Sequence, residues 1–427
     1  MQPQELIKDR LRLVNLGDVK QLVIFLLVVF LSFWRIEKER SYLWDEDLGE
    51  GSVHVVLEST PRLEEGSIKV MVKIVGGDFP EIYDKRGKLT LIATENVPSK
   101  SFIVNAKVKV KHGFVFLSAN YRDIEKVIFE EPSLRERYIK RAMAKIENPE
   151  VEGLVLTYLF GESAEGLSQD IQAAFYKTGL VHMLVISGFH VGMIFMILRV
   201  GAPQPFGSII GMLGIVLYVW LLVPHNPPVL RATVMILLFI AVKLLQGAPN
   251  SLAILLFSGS LLLLVSPEFV VSYSFWLSFW ATLYIIVALR NFKKEQDIAD
   301  SFLIAPAWVS LFAFLGVTPL LLTFSNTSMG SIIFSPIVGY LFFPFTAYGV
   351  LELLTFFSLP TFPLEWNGIV VLKVVEILSM LDLRLWKGMS LTAGVICLVL
   401  NALVIYLTRG FEKLIAILIF IVFLVFG

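Results

Sequence analysis

Cysteine is almost missing from this chain, and its scarcity removes two kinds of chemistry at once. Cys397 is the only one among 427 residues, so an intrachain disulfide and a cysteine metal cluster are both excluded. Histidine is scarce as well. The five, at 54, 112, 182, 190 and 225, form no HxHxDH or HExxH pattern, so neither a metal nor any other cofactor is expected. No GxxxxGK[ST] stretch occurs, which places any nucleotide-driven motor on another chain. Charge is thin too: 17% of residues, against about a quarter in a soluble globular chain. With 56% hydrophobic residues and a mean hydropathy of +0.74, the composition is that of a polytopic membrane protein with some soluble part. The formal net charge is zero, so only the distribution of charge can bear on nucleic acid.

The chain divides by composition into four stretches. Residues 1–36 hold a polar tail and an apolar run at 21–34, with no small-residue cleavage site after it, as in a signal anchor. Lys8, Arg10, Arg12 and Lys20 precede that run, which puts the N-terminus in the cytoplasm. Residues 37–131 alternate with period two and predict strands at 52–58, 67–75, 88–93, 102–111 and 114–118, separated by turn dipeptides such as Arg86-Gly87 and His112-Gly113. Five short strands suggest a small barrel, of which the OB-fold is one natural solution. Its basic face would carry Lys107, Lys109 and Lys111, either to meet a single strand or as a solvated face. The stretch as a whole is not basic: it holds 14 Lys and Arg against 17 Asp and Glu.

Residues 132–178 read as amphipathic or interfacial helices. The first, at 133–147, is capped by Ser133 and rich in Arg and Lys. The second apolar piece, 151–160, is too short to span about 30 Å of hydrocarbon. Residues 179–427 are nearly all apolar, with spans expected at 179–199, 207–223, 229–246, 251–265, 272–289, 302–323, 330–357, 366–381, 389–408 and 412–426, about eleven with the anchor. Pro336 and Pro344 are expected to break 330–357 in two. With the β stretch outside, Arg199, the 290–294 loop, Arg409 and Lys413 fall inside, as the positive-inside rule asks, while Arg384 and Lys387 fall outside against it. The fold class is therefore an α-helical polytopic membrane protein with a small extracytoplasmic all-β, OB-fold-like domain.

Three segments carry polar groups where an apolar span needs none. In 179–192, His182, Ser187 and His190 accompany Gly179, Gly188 and Gly192. These groups either glue helices together or line an aqueous path. Ser187 and His190 also permit an intramembrane Ser–His hydrolase, although no GxSxG is present. In 227–235, two prolines start a helix and Arg231 follows in its first turn, to snorkel or to hold a passing phosphate. In 273–282, Ser274 and Ser278 are four apart, as are Trp276 and Trp280, forming an interfacial aromatic belt or a stacking platform for bases.

These same segments resemble the signature elements of the ComEC-type competence DNA-uptake channel family. Residues 179–192 follow its GLxHLLAISGLHVG element with departures at Met183, Val185 and Phe189. Arg231-Ala232-Thr233-Val234-Met235 matches its RAxxM element, and residues 274–281 match GFQLSFxA with Trp276 where glutamine is usual. The resemblance implies an inner-membrane channel passing single-stranded DNA into the cytoplasm during natural transformation, and no enzyme. It implies a form lacking the C-terminal metallo-β-lactamase-like domain that many members carry. The DNA path would be lined by His182, Ser187, His190, Arg231, Ser274 and Ser278. The partners implied are single-stranded DNA, the bilayer, a separate nuclease, a cytoplasmic ATP-driven motor and further copies of the chain. The alternatives are the hydrolase and a small-solute transporter.

Overall fold

The computed structural model describes residues 16–40, 46–57, 63–64, 67–83, 86–92, 101–111, 114–128, 133–289, 304–385 and 388–407. Fourteen α-helices and nine strands lie among them. The chain is mostly helical, with an N-terminal β unit at 33–137 and a helical unit made of the remainder.

The β unit is built on one long strand. β1 (Glu46–Leu57) pairs antiparallel with both β5 (Ser101–Lys111) and β3 (Ser67–Gly77). β3 pairs antiparallel with β4 (Arg86–Ile92), β4 lies parallel to β6 (Phe114–Asn120), and β6 is antiparallel to β5. The order β1-β3-β4-β6-β5 therefore returns to β1 and closes into a barrel. β2 (Leu63–Glu64) extends the start of β3, and β7 (Ile124–Ile128) pairs with the start of β5. The alternation in the sequence decides the faces: Val55, Val72, Leu89, Phe102, Val104 and Val108 are fully enclosed. Closure also imposes a tight crossing where β1 and β3 part. Gly77 has φ +130°, and a Cβ there would stand 2.3 Å from the Ser52 carbonyl oxygen.

In the helical unit, α1 (Leu16–Arg40) sets Phe25 parallel to Phe279, ring centroids 4.8 Å apart. α2 (Leu134–Lys145) starts on a reciprocal cap: Ser133 Oγ accepts from Glu136 N, and Glu136 Oε2 accepts from Ser133 N. α3 (Pro149–Phe160) is only about 18 Å long by its rise, and it is buried on nearly every side. The chain then folds back along it. Ser168 N donates to Glu150 Oε2 at 3.2 Å, and a Cβ on Gly153 would meet the Gly166 carbonyl at 2.7 Å. α4 (Gln169–Thr178) ends at Gly179 in the left-handed region, φ +74°.

After α4 the expected span at 179–199 is broken. A single turn, α5 (Val181–Leu184), is followed by extended backbone at 185–187, and α6 (Gly188–Val200) begins only then. The expected break in 330–357 is absent instead: α12 (Ser331–Leu354) runs continuously for 24 residues through Pro336 and Pro344. Each proline deletes one backbone hydrogen bond, and the bonds that remain carry the helix. The other helices are α7 (Phe206–Leu221), α8 (Pro227–Leu244), α9 (Ser251–Val265), α10 (Tyr273–Leu289), α11 (Ala305–Leu321), α13 (Phe362–Leu378) and α14 (Leu391–Leu407); β8 (Thr327–Ser328) pairs with β9 (Arg384–Leu385). Of the described helices, α8 and α12 are long and apolar enough to cross a membrane by themselves; α6, α7, α9, α10, α11 and α14 are apolar but shorter. The span expected at 412–426, the 290–294 loop, Lys387, Arg409 and Lys413 lie outside the described residues.

Gly77→Ala should destabilise the β unit by about 2 kcal/mol, through an unfavourable φ and a backbone clash. Gly76→Ala should be neutral, because its Cβ would meet only His54 Cβ at 3.7 Å. The temperature at which the β unit of the full chain becomes protease-sensitive measures both.

Candidate functional site

The break at 185–187 is held by the two residues that the sequence singled out. Ser187 N donates to His190 Nδ1 at 3.0 Å, and Ser187 Oγ lies 2.9 Å from the same nitrogen. The Ser187 side chain also accepts from the backbone N–H of His190, closing a capping box with histidine in the place of the usual glutamate. An N–H can donate only to a lone pair, so Nδ1 is bare and the neutral ring carries its proton on Nε2. His190 is fully enclosed. Tyr158 of α3 meets its ring edge-on at 4.2 Å, and the Tyr158 hydroxyl lies 2.6 Å from Thr346 Oγ1 of α12.

This geometry changes how the polar residues relate. Ser187 and His190 meet across a helix start, not along one helix face, and His182 belongs to a different helix. His182 Nδ1 sits 3.1 Å from the Gly179 carbonyl, and its Nε2 lies 3.5 Å from Ser335 Oγ of α12. Of Gly188 and Gly192, four residues apart on α6, only Gly188 is closely approached. A Cβ there would stand 3.0 Å from Ala232 Cβ, whereas Gly192 meets nothing within 4 Å.

Arg231 is brought to the same place. Asn226 precedes α8, Pro227 and Pro228 fill its first two positions, and Arg231 is buried with 6% exposure. It does not snorkel. Its Nη1 donates to the Ser278 carbonyl and, at 2.5 Å, to Thr282 Oγ1, both on α10. Its Nη2 faces Gly188. Arg231 and Ser278 are thus brought together, while Ser274 is exposed in the first turn of α10. Trp276 is half-buried and donates its indole N–H to the Val270 carbonyl at 2.7 Å, inside an aromatic cluster with Phe25, Phe275 and Phe279. Among the ionisable residues of apolar stretches, Glu352 is enclosed, and Lys243, Lys373 and Glu376 are exposed.

Thr282, Tyr158, Thr346 and Ser335 complete the site and were not anticipated. Thr282 follows Ser278 by one helical turn, which is a readable spacing. Tyr158 lies in a helix apolar on all faces, where no periodicity marks an inward side.

On the barrel, register puts Lys88 of β4, Phe116 of β6 and Lys109 of β5 in one row, with Lys107 beside Ser118 in the next. Residues opposite one another on neighbouring strands share a face. Phe116 is 42% exposed between the two lysines. Lys109 Nζ lies 3.1 Å from Asp47 Oδ2, and Lys107 Nζ lies 4.0 Å from it. The hydrogen bond from Lys109 holds the Asp47 carboxyl below the usual carboxylate range. A depressed carboxylate holds its ion pair at every pH above the ordinary carboxylate value and releases it as pH falls through the depressed one. The Lys111 side chain lies outside the described residues.

The family model for the competence protein matches residues 158–424. The chain belongs to the competence protein family. An uncharacterized protein of Aquifex aeolicus is 33% identical over 411 residues, covering 95% of this chain and 96% of that one. ComE operon protein 3 of Bacillus subtilis is 29% identical over 208 residues, which are 48% of this chain and 26% of that protein. No solved structure matches. Competence family proteins are membrane proteins with a role in DNA uptake, and the broken helix, Arg231 and the α10 serine all fall inside the matched region.

The Ser187–His190 pair has the contacts of a helix cap. Ser187→Ala should lower the thermal midpoint of the purified protein, at a cost of about 1 kcal/mol. A fluorophosphonate probe should leave Ser187 of the wild type unlabelled by mass spectrometry; stoichiometric labelling there would establish a nucleophile instead.

Proposed function

We propose that this protein is a multi-pass inner-membrane channel that passes single-stranded DNA into the cytoplasm during natural transformation. The observation that carries the reading is the unwound backbone at 185–187, inside the matched region and beside Arg231 and two histidines. Non-helical backbone at membrane depth is tolerated where it is enclosed by protein or lines a watery path, and discontinuous helices are where membrane proteins place polar cargo. A strand carries a negative charge at every nucleotide, so its path needs cationic or dipolar groups that do not trap it.

The orientation in this reading has the N-terminus in the cytoplasm and the β unit outside. The closed five-stranded order β1-β3-β4-β6-β5 with one parallel pair supports reading the β unit as an OB-fold, a five-stranded Greek-key barrel used for oligonucleotides. Its Lys88–Phe116–Lys109 row pairs a stacking ring with cations, as single-strand binders do. The chain acts here without chemistry of its own, and a nuclease and a motor are supplied by other proteins. The hydrolase alternative is the weaker reading: Nδ1 of His190, 2.9 Å from the Ser187 hydroxyl, already accepts from the Ser187 amide, and the neighbours of its ring are the aromatic Tyr158 and Phe189.

Purified protein in liposomes should let a fluorescent oligothymidylate enter along a membrane potential, while protein-free liposomes do not. Passage of small solutes with no strand flux would turn the assignment to a solute transporter. On the barrel, Asp47→Asn should tighten oligothymidylate binding by freeing Lys109. Lys109→Ala should weaken it and lower the salt slope by about one. Wild-type binding should rise toward that of Asp47→Asn as pH falls below 3.8, the ordinary value for this carboxyl.

A further inference from the structure

We infer that Arg231, Ser278 and the first turn of α6 form a phosphodiester subsite for the strand. This rests on the proposed channel reading and deepens it. Arg231 is 94% buried by its 6% exposure, and a buried charge is costly unless something answers it. Among the described residues no acidic side chain pairs with it. Among the described residues its hydrogen bonds run from Nη1 to α10, and Nε is enclosed with no partner among them. One nitrogen is therefore spent on fixing the guanidinium, and the other two are left over.

The leftover side faces a helix start. Nη2 stands 3.6 Å from the Cβ position of Gly188, the first residue of α6, and Pro228 O and Ala232 Cβ of α8 flank the same point. The first turns of α6 and α8 thus lie against each other, and each contributes the positive end of a helix dipole. The cap at Ser187 answers the His190 amide, while Gly188 and Phe189 have no side-chain cap. Ser278 Oγ is a further enclosed hydroxyl, with no partner among the described residues. A fixed guanidinium fork, a helix N-terminus and a hydroxyl are the groups that suit a singly charged phosphodiester. Gly188 presents bare backbone to Nη2, and a methyl there would come into van der Waals contact with it at 3.6 Å.

Arginine-selective phenylglyoxal on the wild-type protein in nanodiscs, read at Arg231 by mass spectrometry, tests this without a mutant. Modification of Arg231 should be slowed about tenfold by oligothymidylate, and to a smaller extent by inorganic phosphate, with Arg384 as the unprotected control; tenfold corresponds to about 1.4 kcal/mol. An Arg231 that never reacts while Arg384 does is unreachable, and the subsite is overturned. Protection by anionic lipid in the nanodisc but not by the strand would make it a headgroup site and overturn it too. In liposomes, Gly188→Ala keeps the charge but sets a methyl against Nη2, and should cut strand flux several-fold at unchanged abundance. Arg231→Lys should restore only part of the flux lost in Arg231→Gln, because the fork is lost. Full flux in Gly188→Ala and Arg231→Gln, with wild-type flux intact, would remove the subsite and leave the channel. Absent flux in the wild type, with phosphate protection intact, would remove the channel.

Discussion

An unwound stretch among apolar helices must have its backbone groups answered, and the structure of the matched region depends on how that is done at 185–187. Water cannot answer them in hydrocarbon, and each orphaned group would cost several kcal/mol. Ser187 and His190 do it locally: the serine amide goes to the ring, and the ring's own amide goes to the serine hydroxyl. Val185 N and Val191 N are held by the Val181 and Ser187 carbonyls on either side. The break is thereby a defined corner between α5 and α6. Without the cap the Ser187 and His190 amides would lose these partners, at a cost of about 1 kcal/mol.

The corner has consequences one step removed. It sets Gly188 against Ala232, where an added Cβ would stand 3.0 Å from the Ala232 Cβ and α8 would have to give by a few tenths of an ångström. That closeness places the Arg231 guanidinium between α6 and α10, where Thr282 and the Ser278 carbonyl take one of its nitrogens. On the other side, His190 packs on Tyr158, whose hydroxyl is taken by Thr346. The short α3, which could not cross a membrane alone, is therefore tied to α12 and, through the Tyr218 hydroxyl on the Leu159 carbonyl, to α7. Polar groups in the apolar interior are few, and they mark the places where one helix is fixed to the next.

The sequence made the barrel legible because its strands alternate: Lys107 and Lys109 point out while Ala106, Val108 and Val110 point in. β7 was not legible, since Ile124-Glu125-Lys126-Val127-Ile128 is short and alternates poorly. The polar residues of the site were visible at 182–190, 231 and 278 because polar groups stand out against an apolar background. Their mutual geometry was not. A run from 179 to 199 has the length and hydropathy of one helix, and a Ser three residues before a His reads equally as a helix face or as a cap. The choice depended on tertiary contacts to α3 and α8, which no local pattern records. Pro336 and Pro344 misled for the converse reason: proline lowers helix propensity in water, but in apolar surroundings an unpaired backbone is worse than a strained helix.

Under the channel reading, both basic features share a property that their composition alone does not show. Lys109 and Lys107 are held by Asp47, and Arg231 has one nitrogen committed to α10. A polyanion moving past a bare cation would be retained, since every contact that releases counterions adds to affinity and none favours the next step. Conduction needs sites that are favourable enough to enter and weak enough to leave. Internal partners achieve this differently at the two places. Asp47 competes directly and reversibly with a phosphate for exposed lysines, so the strand must displace it. Thr282 and the Ser278 carbonyl do not compete for charge; they fix the direction of a buried guanidinium and leave part of it for use. The first arrangement lowers affinity and the second fixes geometry. A strand path of this kind would be loose where the lysines are and directional where the arginine is.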